Sequence, residues 1–148
     1  MLLGKAKDNN ASCSVGPFIR LFDENFTIND IFEAKINLSV LGVDGFKMNG
    51  SSSMKQISRG YHELIDQCFG NYHQYPDGLL LFLGTMFSPI QDRDVPGQGF
   101  THKVGDKVSI STPLLGSLVN RVNFCNKVTP WTFGTTALID NLSKRGLI

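Results

Sequence analysis

Apolar residues along the chain fall in short runs and alternations broken by turn residues, a rhythm of strands more than of helices. Ile36, Leu38 and Val40 alternate with Lys35, Asn37 and Ser39. That period of two puts one side of a strand in the core and the other in water. Asp44-Gly45 is a hairpin turn, and Phe46-Lys47-Met48 returns from it toward a hydroxyl-rich corner, Ser51-Ser52-Ser53. Two further strands are predicted over residues 107–111 and 114–124, with Pro113 at their turn. Residues 15–22, with Phe18, Ile19, Leu21 and Phe22 after Gly16-Pro17, predict another. The run Leu79-Leu80-Leu81-Phe82-Leu83 is opened by Tyr75-Pro76-Asp77-Gly78 and closed by Gly84-Thr85. A short apolar run between such turns predicts a strand buried on both faces. The long polar, glycine-rich stretch after it, residues 86–102, has the composition of a binding loop.

Helical spacing occurs in fewer places. Thr27 with Asp30 three residues on forms a capping box for one short turn through Ile31 and Phe32. Tyr61, Leu64, Ile65, Cys68 and Phe69 recur at helical intervals, with Ser58 as N-cap and Gly70 as stop. A last helix is predicted from about residue 132 to 145. Its stripe is Phe133, Ala137, Leu138 and Leu142, with Lys144 and Arg145 at the negative end and Gly146 as terminator. The expected class is α+β, mostly sheet with a few short helices.

Composition narrows the partners. The chain has 148 residues, 41% hydrophobic and 18% charged, which suits one globular domain over 1–148. Net charge is +1, and its Lys and Arg residues are scattered singly, with no basic stripe interleaved with aromatics. Nucleic acid is therefore not expected as a partner. No apolar run is long enough to span a bilayer, and Met1-Leu2-Leu3 is cut short by Gly4-Lys5-Ala6-Lys7-Asp8, so no signal peptide or membrane anchor is expected. Cys13, Cys68 and Cys125 are odd in number and far apart. They imply three reduced thiols in a cytoplasmic protein rather than a disulfide framework or a zinc cage.

Four segments carry a resemblance. They are Lys5-Ala-Lys7-Asp8-Asn9-Asn10 running on to Gly16-Pro17, then Gly78-Leu-Leu-Leu-Phe-Leu-Gly84-Thr85, then Gly105-Asp106-Lys-Val-Ser-Ile, then Gly116-Ser-Leu-Val-Asn120-Arg121-Val122. In order and spacing they resemble the C-terminal half of the fumarylacetoacetate hydrolase family. The loop Gly84-Thr-Met-Phe-Ser-Pro89 with Asp94-Val-Pro-Gly97-Gln98-Gly-Phe100-Thr101-His102 is similar to a bacterial branch that includes 2-keto-3-deoxy sugar-acid dehydratases. Pro130-Trp131-Thr132-Phe133-Gly134 and the final helix look like a branch extension.

The resemblance implies a mixed-sheet β-roll or sandwich, a homodimer or higher oligomer, and a divalent metal, usually Mg2+, chelating a 2-oxo acid substrate. The implied chemistry is dehydration of a 2-keto-3-deoxy sugar acid, with carbon–carbon hydrolysis of an acylpyruvate as the alternative. Lys7 matches the family's active-site lysine. Gly84 and Thr85 match its Gly-Thr carboxylate cradle. Asn10 stands where relatives often carry an aspartate, and Gln98 and His102 are candidate ligand contacts. The family's Glu-x-Glu ligands lie upstream of the lysine and have no counterpart here. Asp92-x-Asp94 reads as a solvated turn. No metal ligand is therefore expected, and the chain is expected to be a truncated C-terminal portion that binds no metal alone and is catalytically crippled. His62 is expected on the surface, His73 near the start of the 79–83 run, Arg121 in an ion pair, and Trp131 and Phe133 as packing anchors.

Overall fold

The computed structural model describes residues 10–84 and 90–148. The chain divides into two compact units: Gly16–Val122, and Asn123–Ile148 with the segment that ends at Val15. The larger unit is a small α+β fold around a four-stranded antiparallel sheet. Its strands are β1 (Lys35–Leu41), β2 (Lys47–Ser53), β3 (Lys107–Thr112) and β4 (Gly116–Arg121), in the order β2-β1-β3-β4. All three pairings among these strands are antiparallel, whereas a mixed sheet was expected. Two hairpins joined edge to edge, β1–β2 and β3–β4, account for that.

Each hairpin follows from its turn. Between β1 and β2 the Gly42 N–H donates to the Phe46 carbonyl at 2.8 Å, and the Asp44 carboxylate accepts from the Phe46 N–H at 3.1 Å. Between β3 and β4 the Leu115 N–H closes on the Thr112 carbonyl at 3.2 Å, with Pro113 pre-set for the turn. Gly116 then leaves at φ +79°, a left-handed conformation that glycine adopts without strain.

Register fixes two unlike faces. Opposite Leu38 stand Gly50 and Ile110, and opposite Val40 stand Met48 and Val108. This is the apolar face, with Val40 fully buried and Met48 nearly so. Phe26, Ala34 and Met54 are buried with it, and the Met54 N–H donates to the Ala34 carbonyl at 3.0 Å. The expected capping box is present: Asp30 accepts from both the Thr27 N–H and its hydroxyl and opens α1 (Ile28–Phe32). Helix α2 spans Tyr61–Cys68. Its N-cap is Gly60 rather than Ser58, and it stops at Phe69, one residue before Gly70.

Two expected strands do not form. Residues 15–22 contain no strand, and Phe18 and Ile19 are 90% and 81% exposed. Residues 79–83 are not the doubly buried strand that their composition predicts. They have no regular structure, and Leu80, Leu81, Phe82 and Leu83 are all exposed. Hydrophobicity alone cannot build a strand, which needs a partner for each backbone N–H and C=O. The four-stranded ladder incorporates neither segment.

The smaller unit carries the last helix, α3 (Thr135–Lys144), closed by Arg145 and by Gly146 at φ +66°. The helix starts three residues later than its sequence pattern predicts. Trp131 and Phe133 are not packing anchors: they are 70% and 53% exposed, and the indole N–H donates to the Phe133 carbonyl. No described helix is long and apolar enough to cross a membrane.

Candidate functional site

Lys7 and Thr85, the two residues on which the expected substrate grip depends, lie outside the described residues. Gly84 is described, at φ +81°, and the residue before it opens onto two cavities of the larger unit. One, about 480 Å3, is lined by Ser52, Ser53, Gln56, Ser58 and Arg59 with Ile57, Leu64 and Leu83. The other, about 130 Å3, is wholly apolar and takes Leu83 together with Phe26, Ile31, Ala34, Ile36 and Met54 among its walls. The polar cavity stands where β2 ends. The Ser53 hydroxyl accepts from the Lys55 N–H at 3.3 Å and starts the short turn Met54–Gln56, which leads toward α2.

Arg59 brings the positive charge. Its Nε donates to Glu63 Oε1 at 2.9 Å, one helical turn along. Both Nη groups of the fork have no partner among the described residues, and such a fork matches a carboxylate. Serine hydroxyls and an amide around it both donate and accept. This cavity can hold a small, hydroxylated carboxylate. The sequence marked the Ser51–Ser53 corner without connecting it to Arg59, because residues 52 and 59 meet only where the chain turns from β2 toward α2.

Gln98 and His102 belong to a different part of the unit, a loop fastened to the end of the sheet by Arg93. The Arg93 side chain is 2% exposed, and Nη1 and Nη2 donate to Asp106 at 2.6 and 2.9 Å. Nη2 also reaches both oxygens of Asp44, at 3.0 and 3.1 Å, and Nη1 the Thr101 carbonyl at 3.3 Å. The guanidinium lies over the Phe46 ring, 4.6 Å from its centroid. Phe46 stacks on Phe100, whose ring meets His102 edge-on. Only glycine fits at position 42, since a Cβ there would collide with Asp44 Oδ1 and lie 2.6 Å from Arg93 Nη2.

Electrostatics follow from this geometry. The Arg93 guanidinium, together with the Lys103 N–H, lowers the Asp106 carboxyl to about 2 against the cost of burial. Arg93 first, then Lys103, hold Asp44 far below the usual carboxylate range. Lys103 is raised by its bonds to Asp94 and Asp44. His102 Nδ1 lies 3.6 Å from Asp106 Oδ2, with its side chain 43% exposed. Gln98 is exposed, and its backbone N–H donates to Val95. This loop is an ion-paired anchor. Sequence reasoning passed over Arg93 because its neighbours Asp92 and Asp94 drew the eye, while its partners stand 13 and 49 positions away.

The carboxylates around this loop do not suit a metal. Asp92 accepts the N–H groups of Gly97 and Gly99, both at 2.7 Å, which makes it the turn its spacing suggests. Asp94 bonds Lys103 at 2.5 Å. Asp44 and Asp106 are taken up by Arg93 and Lys103. Among the described residues no three His, Cys, Asp or Glu side chains come together as a metal cluster. The described residues therefore do not fit the Mg2+ that the resemblance implies.

The other candidates scatter. Asn10 lies in the smaller unit, where with Cys125, Thr129 and Trp131 it lines a separate cavity of about 310 Å3. His62 is exposed, as expected. His73 is exposed too, its backbone bridging to Gly70. Arg121 makes no ion pair among the described residues; its Nη1 donates to the Gly105 carbonyl at 3.0 Å. Compared with models of protein families, with curated proteins and with solved structures, the chain finds no match in any of the three.

Proposed function

We propose that the chain is a fumarylacetoacetate hydrolase-type protein that takes a 2-oxo acid, and that a 2-keto-3-deoxy sugar acid, destined for dehydration, is the favoured substrate. The observation that carries this reading is the cavity beside Gly84, in which a half-free guanidinium stands among three serine hydroxyls and an amide. Its volume of about 480 Å3 falls within the usual range for small-molecule sites. The Arg59 fork would take the carboxylate, and Ser52, Ser53, Ser58 and Gln56 the substrate hydroxyls. A hydroxylated tail suits this lining better than an acyl chain, because a hydroxyl that loses water and gains an apolar neighbour is left unpaired. No step is routed through a metal, because no three described His, Cys, Asp or Glu side chains gather as a cluster.

Isothermal titration of the full chain with a 2-keto-3-deoxy pentonate and with an acylpyruvate tests the reading. Each runs with and without magnesium, and with Arg59→Gln beside the wild type. The sugar acid is expected to bind more tightly, and Arg59→Gln to weaken it at least tenfold. Equal affinity of the variant, or silence toward both acids, would refute the assignment.

A further inference from the structure

The second face of the sheet carries chemistry that the cavity does not use. Across the strands the register sets Lys47 beside Leu41, Leu41 beside Lys107, and Lys107 beside Arg121, so three cations share one row from edge to edge. The next row is Asn49, Ser39, Ser109 and Val119, and the one after it Ser51, Asn37, Ser111 and Ser117. Lys35 stands on the same face at the far end of β1. All four strand cations thus lie on one face, and none of the four strands contains an Asp or Glu. Lys35, Lys47, Lys107 and Arg121 are exposed. None of them makes an ion pair among the described residues. In a chain with net charge near zero, these cations stand together with no ion-paired carboxylate among the described residues.

We propose that this face binds an acidic glycan, a chain of sugars carrying carboxylate or sulfate groups. The charge complementarity is one-sided and extended. With strands about 4.8 Å apart, the row spans roughly 14 Å, too wide for one small anion and suited to successive charges on a polymer. Serine and asparagine side chains both donate and accept, which matches a ligand whose anionic groups alternate with hydroxyls. No aromatic side chain stands on the strands of this face, so it offers no platform on which nucleic-acid bases could stack. Leu41 and Val119, each about half exposed, are the apolar positions on which a sugar ring can lie.

The inference is independent of the Arg59 cavity and is tested on the full chain with heparin and a polyuronate, followed by biolayer interferometry across salt concentrations. Three cation contacts predict a slope of log K against log salt of about −2 to −3. Binding should then fall on the order of tenfold or more between about 50 and about 200 mM salt. The triple variant Lys47→Gln, Lys107→Gln, Arg121→Gln should lose both the binding and the slope while keeping its far-ultraviolet circular dichroism. Asn49→Lys, which adds a cation one row away at an exposed position, should tighten binding and steepen the slope. Unchanged affinity in the triple variant, or no gain in Asn49→Lys, overturns the proposal. So does a poly-thymidine strand bound as tightly as the glycans, because that outcome assigns the face to nucleic acid.

Discussion

Replacing Asp106 with Asn probes the Arg93 anchor with almost no change of shape. Asp106 is fully buried and accepts three hydrogen bonds, two from Arg93 and one from the Lys103 N–H. Breaking a buried ion pair on one side commonly costs about 3–5 kcal/mol, mainly because the surviving charge is left uncompensated. Here Arg93 keeps Asp44, which is 36% exposed, so the remaining charge is partly paired and partly screened. The expected loss is therefore about 2–3 kcal/mol, in line with hydrogen bonds to charged groups. At this chain length that corresponds to a fall in Tm of roughly 8–12 °C. Thermal and urea unfolding followed by circular dichroism measure it.

Acid titration gives the sign independently. A carboxyl whose folded pKa is depressed contributes stability that is complete above its unfolded value near 3.8 and is lost as pH falls toward about 2. The wild type should therefore lose stability across that window, and Asp106→Asn should show a shallower decline. High salt should leave the difference largely intact, since a buried pair is poorly screened. A variant that melts within about 2 °C of the wild type, with an unchanged acid limb, would show that Arg93 does not anchor this loop.

Two other outcomes are expected. Gly116→Ala forces a side chain into a φ of +79° with open space around it. Strain alone should then lower stability by about 1 kcal/mol, read as a shift in the urea midpoint without a change in slope. Phe18, Ile19 and Leu21 are 73–90% exposed in a row, so the chain should self-associate through them. A Phe18→Ser, Ile19→Ser, Leu21→Ser variant should elute as a smaller species in light-scattering chromatography, and an unchanged mass would exclude this segment as the contact.

Local signals were legible where the causes are local. The capping box at Thr27 and Asp30, the Asp44 turn, the Pro113 turn and the Gly146 stop depend on side chains a few positions apart, and all four formed. The alternation of Ile36, Leu38 and Val40 gave β1 its apolar face for the same reason. Residues 15–22 and 79–83 misled because an apolar run specifies burial but not who supplies it. A strand exists only where another offers its hydrogen bonds.

The sequence by itself determined the turns, the α1 capping box, the Gly146 stop and the alternating face. Each is set by backbone geometry and side chains within one turn of each other. Tertiary structure alone decided the rest. It gave Arg93 partners at positions 44 and 106, set Arg59 among the serines at the end of β2, and drew Lys47, Lys107 and Arg121 into one row. Strand register converts distant positions into neighbours about 5 Å apart, and that conversion is not encoded in any window of the chain.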